Sequence, residues 1–306
     1  MERNYLFSRN GTHITLINKN SNISISYDEK TDLLGSGTTN KVYQLTPNLV
    51  IKIKEIEYSK DDYEDILDEC KQRSFLLKND FIVDIYFYGK IFKKYCTKMY
   101  TIEKKIHTKK DIENPEEFFL KSMKLLSKIQ NQGYIYRDFK LENIGFTKKD
   151  DKMDKVLIID FDDITLFDKT MLDTNERLNE YLEYYDRVCG WVLTGTHVPL
   201  YIVKNNVDII DQLDKLPVQG VVDMIFSLFF PDEIKLQSSL WCTDNTFSNL
   251  HKFVLPKKHL QLMNQIENIP RSKDLQKYID IIKNLMSLKY EDIWTFQEII
   301  EYIYLK

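Results

Sequence analysis

The stretch Tyr136-Arg137-Asp138-Phe139-Lys140-Leu141-Glu142-Asn143 is followed by an apolar run, Val156-Leu157-Ile158-Ile159, that ends in Asp160-Phe161-Asp162. Asp160 stands seventeen residues after Asn143. A carboxylate, a carboxamide and a second carboxylate are thus strung along one short segment. Phosphoryl transfer from a nucleotide asks little covalent help of a protein. It needs a carboxylate to orient the attacking hydroxyl and oxygen ligands to hold magnesium on the phosphates. Asp138, Asn143 and Asp160 are residues of those types. Each alone is an ordinary turn residue, so their order and spacing carry the reading.

That order and spacing resemble the catalytic loop and metal-binding segment of eukaryotic-type protein kinases, H-R-D-L-x-x-x-N followed by D-F-G. The resemblance implies a nucleotide-binding lobe upstream, and candidates for its parts are present. Leu34-Gly35-Ser36-Gly37-Thr38-Thr39-Asn40-Lys41-Val42-Tyr43 matches the glycine-rich loop at Gly35, Gly37 and Val42. Only nine glycines occur in the chain, which makes two of them one residue apart informative. Glycine lets backbone approach phosphate oxygens closely and adopt dihedrals that other residues avoid. Asn40 replaces the third loop glycine and is the residue type that best tolerates a left-handed conformation after glycine.

Leu49-Val50-Ile51-Lys52-Ile53-Lys54 follows as a strand, with Val50, Lys52 and Lys54 on one face. By the resemblance, Lys52 meets the α- and β-phosphates and Val50 packs on adenine; Lys54 is the rival that alternation does not separate. Tyr63, Ile66, Leu67, Cys70, Ser74 and Leu77 recur at helical spacing over about 61–77. Glu69 is the family-like partner for Lys52, with Glu64 and Gln72 as neighbouring registers. Two strands are expected near 81–92 and 96–103. By resemblance, the second leads into the hinge, with Ile102 at the back of the adenine pocket and Glu103 and Lys104 offering backbone hydrogen bonds to the base.

Asn114-Pro115-Glu116-Glu117 predicts a helix start: a preferred cap, proline at the first position and early acids that suit the dipole. Phe119, Met123, Leu126 and Ile129 give its apolar face, and Gly133 closes it. The resemblance therefore runs over roughly residues 30 to 165. It implies an α+β, bilobal protein-kinase-like fold, with a small antiparallel-sheet lobe carrying one main helix and a mostly helical second lobe. The expected division is an extension over 1–30, a first lobe over 31–104 and a second over 105–306. Ile14, Leu16, Ile23 and Ile25 suggest a strand pair in the extension.

With 306 residues, 43% hydrophobic residues and mean hydropathy of −0.40, the chain reads as a soluble globular protein large enough for two lobes around a cleft. Net charge of −4 and pI of about 5.8 give no general affinity for nucleic acid or membrane. No long apolar stretch opens the chain, so neither a signal peptide nor a membrane anchor is expected. Cysteines 70, 96, 189 and 242 form no metal-ligand spacing and read as reduced thiols in a cytoplasmic or other reducing compartment. The chain has no alanine and abounds in Lys, Asn, Ile and Tyr, which suggests an AT-rich genome, as in some large DNA viruses, whose protein would act in a host cell, or in protists or intracellular bacteria.

Beyond residue 165 the resemblance thins. No Ala-Pro-Glu tripeptide closes an activation segment. The family's buried helix has two candidates, Cys189–Pro199, similar to an L-T-G-x-x-P ending with Asp186 nearby, and Asp223–Leu228. Leu275, Tyr278, Ile279, Ile282 and Leu285, then Phe296, Ile299, Ile300 and Ile303, predict two amphipathic helices. This tail is similar to that of casein-kinase-like and vaccinia-related kinases.

The resemblance implies a Ser/Thr protein kinase that uses ATP and Mg2+ on protein hydroxyls. Asp138 orients the substrate hydroxyl, Lys140 contacts the transferred phosphate, and Arg137 ties the loop to the activation segment. Asn143 and Asp160 bind magnesium. Asp162 departs from the pattern by replacing the glycine of D-F-G. Two alternatives stand beside the kinase: a pseudokinase scaffold, and a small-molecule phosphotransferase of kinase-like fold.

Overall fold

The computed structural model describes residues 6–10, 13–18, 21–28, 30–36, 40–57, 79–93, 96–136, 138–161, 164–166, 215, 217–233, 256–287 and 289–306. It is mixed α+β, and the chain divides into two compact units, Met1–Ile106 and His107–Lys306.

The first unit holds two antiparallel sheets. Strands β1 (Leu6–Asn10), β2 (His13–Asn18) and β3 (Ser21–Ser26) form a three-stranded meander, with Ile14 opposite Ile25 and Leu16 opposite Ile23. The expected strand pair is thus present and gains a third strand. A five-stranded sheet follows, built from β4 (Leu33–Ser36), β5 (Asn40–Thr46), β6 (Leu49–Glu57), β7 (Ile85–Lys93) and β8 (Cys96–Lys104) in the order β4-β5-β6-β8-β7. One face carries the unit's buried cluster of Tyr27, Tyr43, Ile51, Tyr100 and Ile102, with Leu45 and Ile53 packed on it. β-branched and aromatic side chains at alternate positions suit such a half-buried pleated surface.

One expectation is corrected here. Phe81-Ile82-Val83 is buried but precedes the strand, which begins at Ile85; the amide of Ile82 turns back to the carbonyl of Asn79 at 3.4 Å. Asn40 opens β5 as the ladder partner of Lys54. The helix expected over about 61–77, with Glu69, lies outside the described residues.

The second unit opens on α1 (Pro115–Asn131). The Asn114 side chain accepts a hydrogen bond from the amide of Glu117 at 3.1 Å, proline occupies the first turn, and Gly133 follows the helix at φ 80°. That positive φ is the left-handed conformation common just past a helix end. Phe118, Phe119, Met123, Leu126 and Ile129 are buried. Strand β9 (Tyr134–Tyr136) comes next and pairs with β12 (Ile164–Leu166). Between them, β10 (Ile144–Lys149) and β11 (Lys152–Ile158) form a hairpin whose two turn residues, Asp150 and Asp151, have φ of 52° and 59°. Positive φ at both central positions matches the twist of the flanking strands.

The remaining described helices are α2 (Val218–Phe229), α3 (Pro256–Glu267), α4 (Gln276–Leu285) and α5 (Phe296–Leu305). Of the two stretches proposed for a buried helix, Asp223–Leu228 lies within α2, and Cys189–Pro199 lies outside the described residues. The two expected C-terminal helices are α4 and α5. Tyr278 of α4 stacks on Phe229 of α2 at 3.7 Å between ring centroids and meets Phe119 of α1 edge-on at 5.6 Å.

Candidate active site

The segment 138–143 connects β9 to β10 and is held at both ends by antiparallel pairing, β9 with β12 and β10 with β11. Within it, Leu141–Asn143 form a single 3-10 turn, closed by the Asn143 amide on the Lys140 carbonyl at 3.0 Å. Phe139 and Leu141 are buried and anchor the turn from inside.

Asp138, Lys140 and Asn143 come together. Asp138 is 7% exposed. Its Oδ2 accepts from Lys140 Nζ at 2.5 Å and from Asn143 Nδ2 at 2.8 Å. Asn143 Nδ2 also donates to the Asp138 backbone carbonyl at 2.9 Å. The other carboxylate oxygen, Oδ1, is buried and has no hydrogen-bond partner among the described residues. A buried acceptor left unsatisfied is costly and calls for an explanation in a site of this kind. The two bonds from Nδ2 also set the orientation of the Asn143 amide.

Asp160 is brought to the same place through backbone. The Asn143 carbonyl accepts from the amides of Ile159 at 2.9 Å and Asp160 at 3.3 Å, just past the end of β11. From β9, the Tyr136 hydroxyl donates to the Asp160 carbonyl. This role for Tyr136 was not read from the sequence, although a hydroxyl on a buried strand end beside the loop was its visible sign. Around the rim, Lys109 Nζ reaches Glu142 at 2.6 Å. Partial desolvation works to raise the Glu142 pKa, but the Lys109 hydrogen bond, a backbone hydrogen bond and the charges of Lys109 and Lys140 together hold it below the usual glutamate value.

Helix α2 supports this turn from beneath. A methyl group at Gly220 would lie 1.7 Å from the Phe139 carbonyl oxygen, so only glycine permits the observed approach of helix to loop. Gly220 was not singled out in the sequence. Arg137 and Asp162 lie outside the described residues.

In the first unit, strand register decides which side chains share a face, since directly paired residues project the same way. Val42, Lys52 and Thr101 form one row across β5, β6 and β8, and Val50 pairs with Glu103 in the next. Lys54, the rival to Lys52, stands opposite Asn40 and Met99 on the same face. Ile102 pairs with Ile51 and belongs to the buried cluster on the opposite face. Ile102 thus lies on the face opposite Lys52, whereas Thr101, one residue earlier, shares the face of Lys52. The Lys104 amide is engaged with the Asp84 carbonyl at 2.9 Å rather than free for a base. Gly35 pairs with Val42 and is exposed, and a methyl there would meet nothing within 4 Å. Its lack of a side chain is not demanded by the packing of the described residues. Gly37 lies outside them.

The donor set suits magnesium held with a nucleotide. That ion takes hard oxygen ligands and is commonly bound through one or two protein groups, with phosphate and water completing six. Asn143 and Asp160 are such a pair, and no group of three or more His, Cys, Asp or Glu side chains stands together among the described residues. No helix among those residues is long and apolar enough to cross a membrane. No protein-family model matches the chain, and no curated protein matches it significantly.

Proposed function

We propose that this protein is a Ser/Thr protein kinase that transfers the terminal phosphate of a magnesium-bound nucleoside triphosphate, with ATP the expected donor, to hydroxyls of protein substrates. The observation that carries the reading is Asp138: a buried carboxylate with one oxygen held by Lys140 and Asn143 and the other without a donor among the described residues. A substrate hydroxyl supplies the missing donor. Asp138 Oδ1 then accepts that proton as the hydroxyl oxygen bonds to the terminal phosphorus and the bond from that phosphorus to the departing nucleoside diphosphate breaks, which gives the carboxylate an orienting and proton-accepting part.

Lys140 stands 2.5 Å from the same carboxylate, close enough to stabilise negative charge on the phosphate in transit. Asn143 Oδ1 and the Asp160 carboxylate would hold magnesium, which when bound neutralises charge on the phosphates. Lys52, in one row with Val42 and Thr101, is the candidate for the α- and β-phosphates. The reading as a bilobal kinase fold assigns the nucleotide-holding residues to the first unit and the catalytic turn to the second.

The test is transfer of labelled terminal phosphate to a Ser/Thr-rich acceptor protein, followed by acid hydrolysis and separation of the phosphoamino acids. Phosphoserine or phosphothreonine is expected. Label found only on a small-molecule alcohol, or on none of these, refutes it.

A further inference from the structure

We infer that Lys215 is a positioning residue for Asp138: its buried ammonium pins the start of α2, and α2 in turn seats the catalytic turn. The inference rests on the part given to Asp138 above. Lys215 is 7% exposed, and a lysine is seldom buried without partners that offset its loss of water. Its Nζ donates to the Tyr290 carbonyl at 3.0 Å and to the Ile293 carbonyl, and it stands 4.1 Å from the centre of the Tyr290 ring. The acceptors are themselves fixed. Asn284 of α4 donates through Nδ2 to the Asp292 carbonyl at 2.8 Å and accepts at Oδ1 from the Trp294 amide at 2.8 Å. The connection between α4 and α5 therefore offers the ammonium two carbonyls and a ring face in one preset arrangement.

What needs pinning is the register of α2. Val218, Val221, Val222, Met224, Ile225 and Phe226 are buried, but burial of apolar surface is non-directional and does not set where along its axis a helix sits. Pro217, at the N-cap, brings no side-chain cap. The seat on the catalytic turn tolerates no slip. A methyl group at Gly220 would lie 1.7 Å from the Phe139 carbonyl oxygen, and the neighbours Gln219 and Val221 both carry side chains. Phe139 directly follows Asp138 in the chain, so a displaced helix displaces the carboxylate. Lys215 stands five residues before Gly220. Hydrogen bonds are directional and those from an ion are the stronger ones, so the ammonium fixes where the glycine falls.

The test compares Lys215→Met and Lys215→Arg with the wild-type full chain by hydrogen-exchange mass spectrometry and by transfer of labelled phosphate. Methionine keeps the apolar stem and loses the ion. In that variant the amides of 139–143 and 218–222 are expected to exchange about tenfold faster, a larger factor than in α1. Its kcat should fall about tenfold with KM for ATP unchanged. Arginine keeps a charge that can reach the carbonyls and the ring, and should restore most of both. Unchanged exchange in the turn, an equal rise in α1, or an unchanged kcat in folded Lys215→Met overturns the inference. Should that variant fail to fold, Tyr290→Leu removes only the ring beneath the ammonium and is read the same way, at about threefold. Absence of transfer by the wild type overturns the kinase reading instead, and the exchange pattern then decides whether Lys215 holds the turn.

Discussion

Asp138 is held at its Oδ2 by Lys140 and Asn143 and at its carbonyl by Asn143, while its Oδ1 is buried with no donor among the described residues. A carboxylate restrained this way is aimed, and an amide in its place keeps the shape but cannot take a proton. Asp138→Asn is expected to lower kcat by about 10²–10⁴-fold, read by phosphate transfer at saturating nucleotide. Asn143→Ala removes both Nδ2 hydrogen bonds to Asp138, leaving that from Lys140, as well as the proposed magnesium ligand. It is expected to cost about 1–3 kcal/mol in urea unfolding and to raise the magnesium concentration needed for half-maximal transfer. Tyr136→Phe deletes only the hydroxyl that meets the Asp160 carbonyl. Its expected cost in stability is about 1 kcal/mol, with a fall in kcat that marks Tyr136 as a positioning residue.

At the scale of the element, α2 and α5 give the sharpest tests. Gly220 lets α2 seat against the Phe139 carbonyl, so Gly220→Ala forces helix and loop apart. A loss of about 1–3 kcal/mol is expected on thermal or urea unfolding, with transfer reduced through displacement of Asp138. Helix α5 begins with a capping box in which the Thr295 amide and hydroxyl donate to Glu298 and the Glu298 amide returns to the Thr295 hydroxyl. Those bonds from Thr295 hold the Glu298 carboxyl below the usual glutamate value. A carboxyl whose folded pKa is depressed stabilises above its unfolded pKa, and that gain fades as pH falls through the folded value. The melting temperature of wild type should exceed that of Glu298→Gln near neutral pH, and the gap should close on acidification below the usual glutamate range. A gap that stays constant with pH contradicts this.

Across the whole molecule, what was legible followed from how local the determining physics is. Helix α1 was readable because its cap, its proline, its apolar face and its closing glycine all lie within one stretch of sequence. The apolar faces of α4 and α5 were readable for the same reason: Tyr278, Ile279, Ile282, Leu285, Phe296, Ile299, Ile300 and Ile303 are all buried. The spacing that drew Asp138 and Asn143 together was legible too, since five residues of chain keep them within reach. Which face of β8 meets Lys52 was not legible. A shift of one residue exchanges the two faces of a strand, and only pairing with distant β6 places Thr101 with Lys52 and Ile102 with the core. Gly220 was equally hidden, because its need for no side chain comes from a carbonyl 81 residues away in the sequence. The division at Ile106/His107 assigns Lys52 to one unit and Asp138, Asn143 and Asp160 to the other. A phosphotransferase of the proposed kind needs both. The most direct measurement is therefore transfer of labelled terminal phosphate from magnesium-bound ATP to casein and to the protein itself, with wild type and Asp138→Asn side by side. Label on serine or threonine that disappears in the variant is the predicted result. Equal labelling by the two proteins, or none by either, would contradict the assignment of Asp138 as the residue that receives the substrate proton.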